Sequence, residues 1–250
     1  MRLDDLSAFD SLIHRWEPRT KLIGLIIFIF TIAFLSELRL LIIALIIAEL
    51  LFIASRIPIS FLLKSIRIPM FFIAIIGISL IFFSSGAALF SIGPLSIKKE
   101  GLEAAAIIGI RFFSIITVVI VLFGTTQFVS IMKVLRSFGL SNILIDMAMF
   151  TYRYLFELLE QLEQMQLSMK LRGFNKNRFK NITIIASLMG TLLIRSYEKS
   201  ERVYNAMVMR GYGQNASYIN VFETKRYDLL FLIAIILISC FLIIAQLKMS

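Results

Sequence analysis

The sequence predicts an all-α polytopic membrane protein, with about five transmembrane helices and a long basic helical segment between the fourth and fifth. Three observations predict it. Hydrophobic side chains make up 59% of the 250 residues and the mean hydropathy is +0.89, above the roughly 45 to 50% apolar content of globular proteins. The apolar residues run in unbroken blocks, such as 25–30 and 229–238, where the face of a soluble helix would be interrupted every turn. The basic residues are segregated: 21 of the 26 Lys and Arg fall in segments 1–21, 56–68 and 125–228.

Spans are sought as apolar stretches of about 20 residues, with about 17 as a practical minimum. Stretches 22–36 and 40–55 are short and separated only by Glu37, Leu38 and Arg39. They read as a tight hairpin extended by snorkelling flanks such as Lys21 and Arg56. In 56–68, Phe61, Leu62 and Ile66 are interleaved with Lys64 and Arg67, the pattern of a segment lying in the membrane interface. The third span is 69–83. Segment 84–101 carries Gly86, Gly93 and Pro94, which punctuate a loop or small hairpin. The fourth span is 102–124 and the fifth begins at 229. The chain thus divides into an N-terminal membrane region (1–124), a segment of helices (125–228) and a C-terminal transmembrane helix (229–250).

The basic segments lie on the cytoplasmic side by the positive-inside rule. The N-terminus is therefore expected in the cytoplasm and the C-terminus outside, in a multi-pass protein of the cell inner (cytoplasmic) membrane. The first twenty residues are polar and turn-forming, so no cleavable signal peptide is expected. Charge segregated in this way points to the lipid bilayer and a protein partner, not to nucleic acid.

Within 125–228, Thr125 and Thr126 end the fourth span and are placed to cap a short amphipathic helix that stops at Gly139. A second helix is predicted from about Asn142 to Arg172. Its residues Leu155, Leu158, Leu162, Met165 and Met169 recur at alternating steps of three and four, a seam for another helix. A third helix is predicted from about Phe179 to Arg210. Shifting the chain by 38 residues superposes Glu160, Glu163, Met169, Arg172, Gly173 and Phe174 on Glu198, Glu201, Met207, Arg210, Gly211 and Tyr212. Each helix finishes with arginine before a glycine suited to the left-handed C′ position. One such ending is ordinary, since arginine offsets the negative end of the helix dipole. Recurrence with matched acids and a following aromatic marks both tips as anchors, because the guanidinium fork suits interfaces better than a lysine ammonium does.

Catalysis is disfavoured by inventory. His14 is the only histidine and Cys240 the only cysteine, so no catalytic constellation, disulfide or metal site suggests itself. No Gly-rich phosphate cradle occurs either. Any ATP is hydrolysed by another chain. Glu49 and Arg111 are the ionisable residues deepest in the spans, where each costs roughly 2.5 to 3.5 kcal/mol. A mutual ion pair would offset that cost, or each would bind a partner subunit.

These features taken together resemble a known family. Beside the paired Arg-Gly ends, the chain carries Trp16-Glu17-Pro18-Arg19-Thr20-Lys21-Leu22 before the first span and Thr125-Thr126 after the fourth. It also has Tyr152-Arg153-Tyr154 and Arg195-Ser196-Tyr197-Glu198-Lys199-Ser200-Glu201-Arg202. Their order and spacing resemble the transmembrane T component of energy-coupling factor (ECF) transporters, the EcfT/CbiQ family, with the cobalt-type CbiQ favoured. The resemblance implies that Leu171-Arg172-Gly173 and Met209-Arg210-Gly211 match the family's X-Arg-Gly motifs and bind two ABC-type ATPase subunits. Glu160, Glu163, Glu198 and Glu201 would support these coupling helices. It further implies a substrate-binding membrane S component, CbiM-like if the cargo is cobalt, with ATP and Mg bound by partner subunits and no cofactor in this chain. The chain departs from the family's usual Ala-Arg-Gly and Asp-Pro-Arg forms. The implied function is that of a non-catalytic subunit linking ATP hydrolysis to uptake of cobalt, nickel or a vitamin; a stand-alone secondary transporter or channel is the alternative.

Overall fold

The computed structural model describes residues 11, 13–83, 88–92, 95–173, 182–212 and 226–249. Its helices are α1 (Pro18–Phe34), α2 (Leu38–Ser55), α3 (Ile59–Phe83), α4 (Lys99–Gly124), α5 (Phe128–Ser137), α6 (Asn142–Leu171), α7 (Ile182–Met209) and α8 (Arg226–Met249). Between α3 and α4, β1 (Ala88–Ile92) and β2 (Leu95–Lys98) pair antiparallel, with Ile92 opposite Leu95. The small hairpin expected of segment 84–101 is therefore present. The chain forms two compact units, Met1–Val134 with Phe222–Ser250, and Leu135–Val221.

In the first unit α4 packs on α1, α2 and α3, while α8 packs on α1. The buried stripe Leu41, Ala44, Ala48 and Phe52 recurs at helical spacing on α2, and Leu25, Phe28 and Ile32 do the same on α1. Outward-facing side chains are as apolar as the core: Phe30, Ile53, Phe71 and Phe241 are 71, 70, 66 and 67% exposed. A surface of that kind is stable against lipid and not against water. Among the described residues four helices are long and apolar enough to cross a membrane, Leu38–Ser55, Ile59–Ile81, Glu100–Gly124 and Arg226–Lys248. At 17 residues, α1 is the shortest of the predicted spans.

Two expectations are corrected. Segment 56–68 is not a separate interfacial element, because α3 runs unbroken from Ile59 through Pro69 to Phe83. Leu62 and Ile66 are buried on one face while Lys64 and Arg67 are exposed on the other. The single helix thus carries its charges on the exposed side of its first turns and continues through Pro69. Lys21, expected to snorkel towards water, is 1% exposed. It lies in the first turn of α1, which starts with Pro18 at the position where a missing N–H costs nothing.

In the second unit α6 and α7 run antiparallel over the half where they touch. Tyr212 just past the end of α7 bonds Asp146 near the start of α6, and Lys199 bonds Glu157 one stretch further along.

Candidate functional site

The two Arg-Gly ends are built alike. At the end of α7, Arg210 N donates to Met207 O at 3.0 Å, Gly211 N to Val208 O at 2.9 Å and Tyr212 N to Met207 O at 3.0 Å. This double closure is the Schellman arrangement, and it requires the left-handed backbone that Gly211 adopts at φ +81°. At the end of α6, Gly173 takes φ +83° and donates to Lys170 O at 3.1 Å; Phe174 lies outside the described residues. A Cβ on either glycine would meet nothing within 4 Å. The need for glycine is conformational and not steric.

Both tips are presented to solvent. Arg172 and Arg210 are exposed, and the large apolar residues before them, Leu171 and Met209, are 81% and 82% exposed. Glu160, Glu163, Glu198 and Glu201 are exposed too. They lie at least nine residues, about 14 Å of helix, behind the arginines, too far to pair with them. Glu198 pairs instead with Arg202, at 4.0 Å one turn on, a contact of little energetic weight.

The group that does hold the second tip is Asp146, which the sequence reading did not single out. Its Oδ2 accepts from the Tyr212 hydroxyl at 3.0 Å and its Oδ1 from Arg136 Nη2 at 2.6 Å. The Arg136 and Asp146 side chains are only 11% and 13% exposed, so their attraction is weakly screened. Partners 10 and 66 residues away leave no local signature. Further along, Lys199 pairs with Glu157 and sits 4.8 Å from the centroid of the Tyr154 ring. The Tyr152-Arg153-Tyr154 and Arg195-to-Arg202 stretches thus meet at the contact between α6 and α7. A groove of about 570 Å³ runs along it, lined by Met147, Phe150, Leu158, Val203, Met207 and Tyr212 among others. Of the predicted seam, Leu155 and Leu158 line that groove.

The contact order fixes where the tips lie. Arg210 is next to the start of α6, whereas Arg172 is 26 residues beyond Asp146, about 39 Å along the α6 axis. The two guanidinium groups stand at opposite ends of the pair.

In the membrane unit the pre-span motif, Thr125-Thr126 and the start of α8 form one buried polar knot. Lys21 Nζ donates to Thr125 O at 3.1 Å, Thr125 Oγ1 at 3.3 Å and Thr126 Oγ1 at 3.2 Å. Glu17 N donates to Asp228 Oδ1 at 3.1 Å. The threonines serve this knot and do not cap α5, whose first turn instead closes on Gln127 O.

Glu49 and Arg111 do not pair with each other. Arg111 Nη2 donates to Leu35 O, the carbonyl at the end of α1, and Glu49 Oε1 is buried with no donor to it among the described residues. Arginine at that depth is accommodated by a helix end with free carbonyls. Among the described residues no group of three or more His, Cys, Asp or Glu is placed to hold a metal ion.

Comparison with known proteins gives consistent matches along the chain. The family model described as CbiQ, cobalt transport protein, matches residues 9–219. An uncharacterized protein of Methanocaldococcus jannaschii is 30% identical over 245 residues, covering 95% of this chain and 84% of the relative. Energy-coupling factor transporter transmembrane proteins EcfT are similar as well. That of Listeria innocua is 28% identical over 247 residues, 92% of each chain. That of Exiguobacterium sibiricum is 28% identical over 185 residues, 69% of this chain and 70% of the relative.

Proposed function

Because the chain belongs to the EcfT/CbiQ family of membrane proteins, we propose that it is the energy-coupling transmembrane subunit of an ECF-type ABC importer. Its two Arg-Gly tips dock on two ABC-type ATPase subunits at the cytoplasmic face, and its membrane unit holds a substrate-binding S component. ATP and Mg belong to the ATPases. The cargo class is a cobalt or nickel ion or a vitamin, captured by the S component, and this chain catalyses nothing itself. The N-terminus and α5 to α7 lie in the cytoplasm in this reading.

One observation carries it: two guanidinium tips, each flanked by an exposed large apolar side chain, stand about 39 Å apart at opposite ends of an antiparallel helix pair. A lone partner pocket has no use for two such ends, whereas two copies of one partner, each offering an apolar groove with an acidic mouth, take one each. The arginine supplies fixed donors and Leu171 or Met209 supplies buried area, the pairing typical of interface anchors.

Co-purification tests this. Tagged chain expressed with its ATPases retains them, and the double variant Arg172→Glu and Arg210→Glu loses them at least tenfold while still inserting into membranes. Retention unchanged by the double variant contradicts the reading.

A further inference from the structure

The buried polar knot and the Asp146 cluster lie at the two ends of one short helix. α5 is the described element that passes from the first compact unit to the second, Val134 belonging to the one and Leu135 to the other. Its root is the link 125–127 after α4. Three residues ordinarily make a swivel, because each adds two soft backbone dihedrals. This link is fixed. The Thr125 hydroxyl donates to Val121 O at 2.7 Å and the Thr125 amide donates to the same carbonyl at 3.1 Å, so the residue continues the last turn of α4. The Lys21 ammonium, with three donors, then meets three acceptors, Thr125 O, Thr125 Oγ1 and Thr126 Oγ1. All three acceptors belong to the root of α5.

Lys21 lies in the first turn of α1, where Thr20 Oγ1 donates to Glu17 O at 3.1 Å and Glu17 N donates to Asp228 Oδ1 at the start of α8. The root of α5 is therefore tied at one point to α1, α4 and α8. Lys21, Thr125, Thr126 and Asp228 are all buried, so water does not compete for these bonds. The other end of α5 is tied as well. Arg136 in its last turn donates to Asp146 Oδ1 at 2.6 Å, and Asp146 Oδ2 accepts from the hydroxyl of Tyr212, two residues past Arg210. Between the ends Ile131 and Val134 are buried, and the 10 residues of α5 make a rod about 15 Å long. Without the Lys21 clamp that rod would be held at its far end and loose at its root, and a push on it would be absorbed there.

Resting on the reading of this chain as a coupling subunit, we propose that Lys21 is a positioning residue for energy coupling. It locks the root of α5 to α1, so that a displacement of the Arg210 tip, passed through Tyr212, Asp146 and Arg136, moves the spans instead of bending the link after α4. Spin-label distances test this. In a Cys240→Ser background, Phe30→Cys on α1 and Lys133→Cys on α5, both at exposed positions, carry nitroxides. The full chain in complex with its ATPases is measured with ADP and again with ATP, Mg and vanadate. With Lys21 in place the distance distribution is expected to be narrow and the same in both nucleotide states. Lys21→Met is expected to retain the ATPases and to give a mean distance that shifts between the states by about 3 Å, the movement at residue 133 for a swing of about 20° at the root. Thr126→Val shifts it by less, and Thr126→Ser, which keeps the hydroxyl, does not shift it. A lysine that only stabilised the fold would lower the thermal melt and leave the distances in the assembled complex unchanged. A distance that changes with nucleotide while Lys21 and Thr126 are intact overturns the proposal. So does one that stays fixed in Lys21→Met, or in Thr126→Val where Lys21→Met does not assemble. Loss of the ATPases from the complex with Lys21 intact contradicts the coupling-subunit reading itself, and with it this role of Lys21.

Discussion

Lys21 shows how a single residue type takes its meaning from its surroundings. A lysine at the edge of an apolar run ordinarily reaches for water. This one turns inward because Thr125 and Thr126 bring a carbonyl and two hydroxyls to within 3.3 Å of its ammonium. Replacing it with methionine keeps the volume and strands those acceptors. Lys21→Met is therefore expected to cost about 2 to 4 kcal/mol, read as a drop of several degrees in the thermal melt of detergent-solubilised protein; a melt unchanged from wild type would mean that the knot contributes nothing. Gly211 is the second residue whose backbone decides its identity. At φ +81° an alanine costs about 1 kcal/mol, so Gly211→Ala loosens the α7 end. Faster hydrogen exchange at the Gly211 and Tyr212 amides checks it, and the arginine tip before them should bind its partner more weakly.

At the scale of elements, α6 and α7 hold each other through few contacts, and Asp146 is the one that joins three places: the end of α5, the start of α6 and the residue after the second Arg-Gly pair. Removing a partner from a largely buried ion pair costs about 3 kcal/mol, while losing a single neutral hydrogen bond costs about 1 kcal/mol. Asp146→Ala is accordingly expected to raise hydrogen exchange across the first turns of α6 and at the α7 end, with Tyr212→Phe affecting only the latter. Equal effects from both would show that Arg136 is not held as the geometry indicates. Helix existence was legible in the sequence here: Gly139, Gly173 and Gly211 announced three helix ends, and each adopts positive φ. The partner of the second tip was not legible, because Asp146 and Tyr212 meet only once α6 and α7 run antiparallel. Likewise α3 hid its continuity behind Lys64, Arg67 and Pro69, which mimic a boundary when charge and proline are read without knowing which face is packed.

For the whole molecule, hydropathy made the membrane class plain, since apolar blocks of span length have no soluble alternative. Pairings between spans were harder to foresee. Glu49 and Arg111 share sign complementarity and depth, yet Arg111 finds the carbonyl end of α1 instead, a partner that every helix terminus offers and that no residue letter encodes. The repeat at 38 residues told that two tips exist and nothing about their separation; the antiparallel course of α6 and α7 puts them at opposite ends. That separation is the central claim, and cysteine crosslinking measures it most directly. With Cys240, the only native cysteine, replaced by serine, Leu171→Cys and Met209→Cys are introduced singly and together, and the complex with its ATPases is treated with a short crosslinker carrying a maleimide for the introduced thiol and an amine-reactive ester for a neighbouring lysine of the ATPase. Each single variant is predicted to yield this chain joined to one ATPase subunit, and the double variant to yield a species carrying two. Failure of either single site to crosslink, or a double variant that never captures more than one ATPase, would contradict the account.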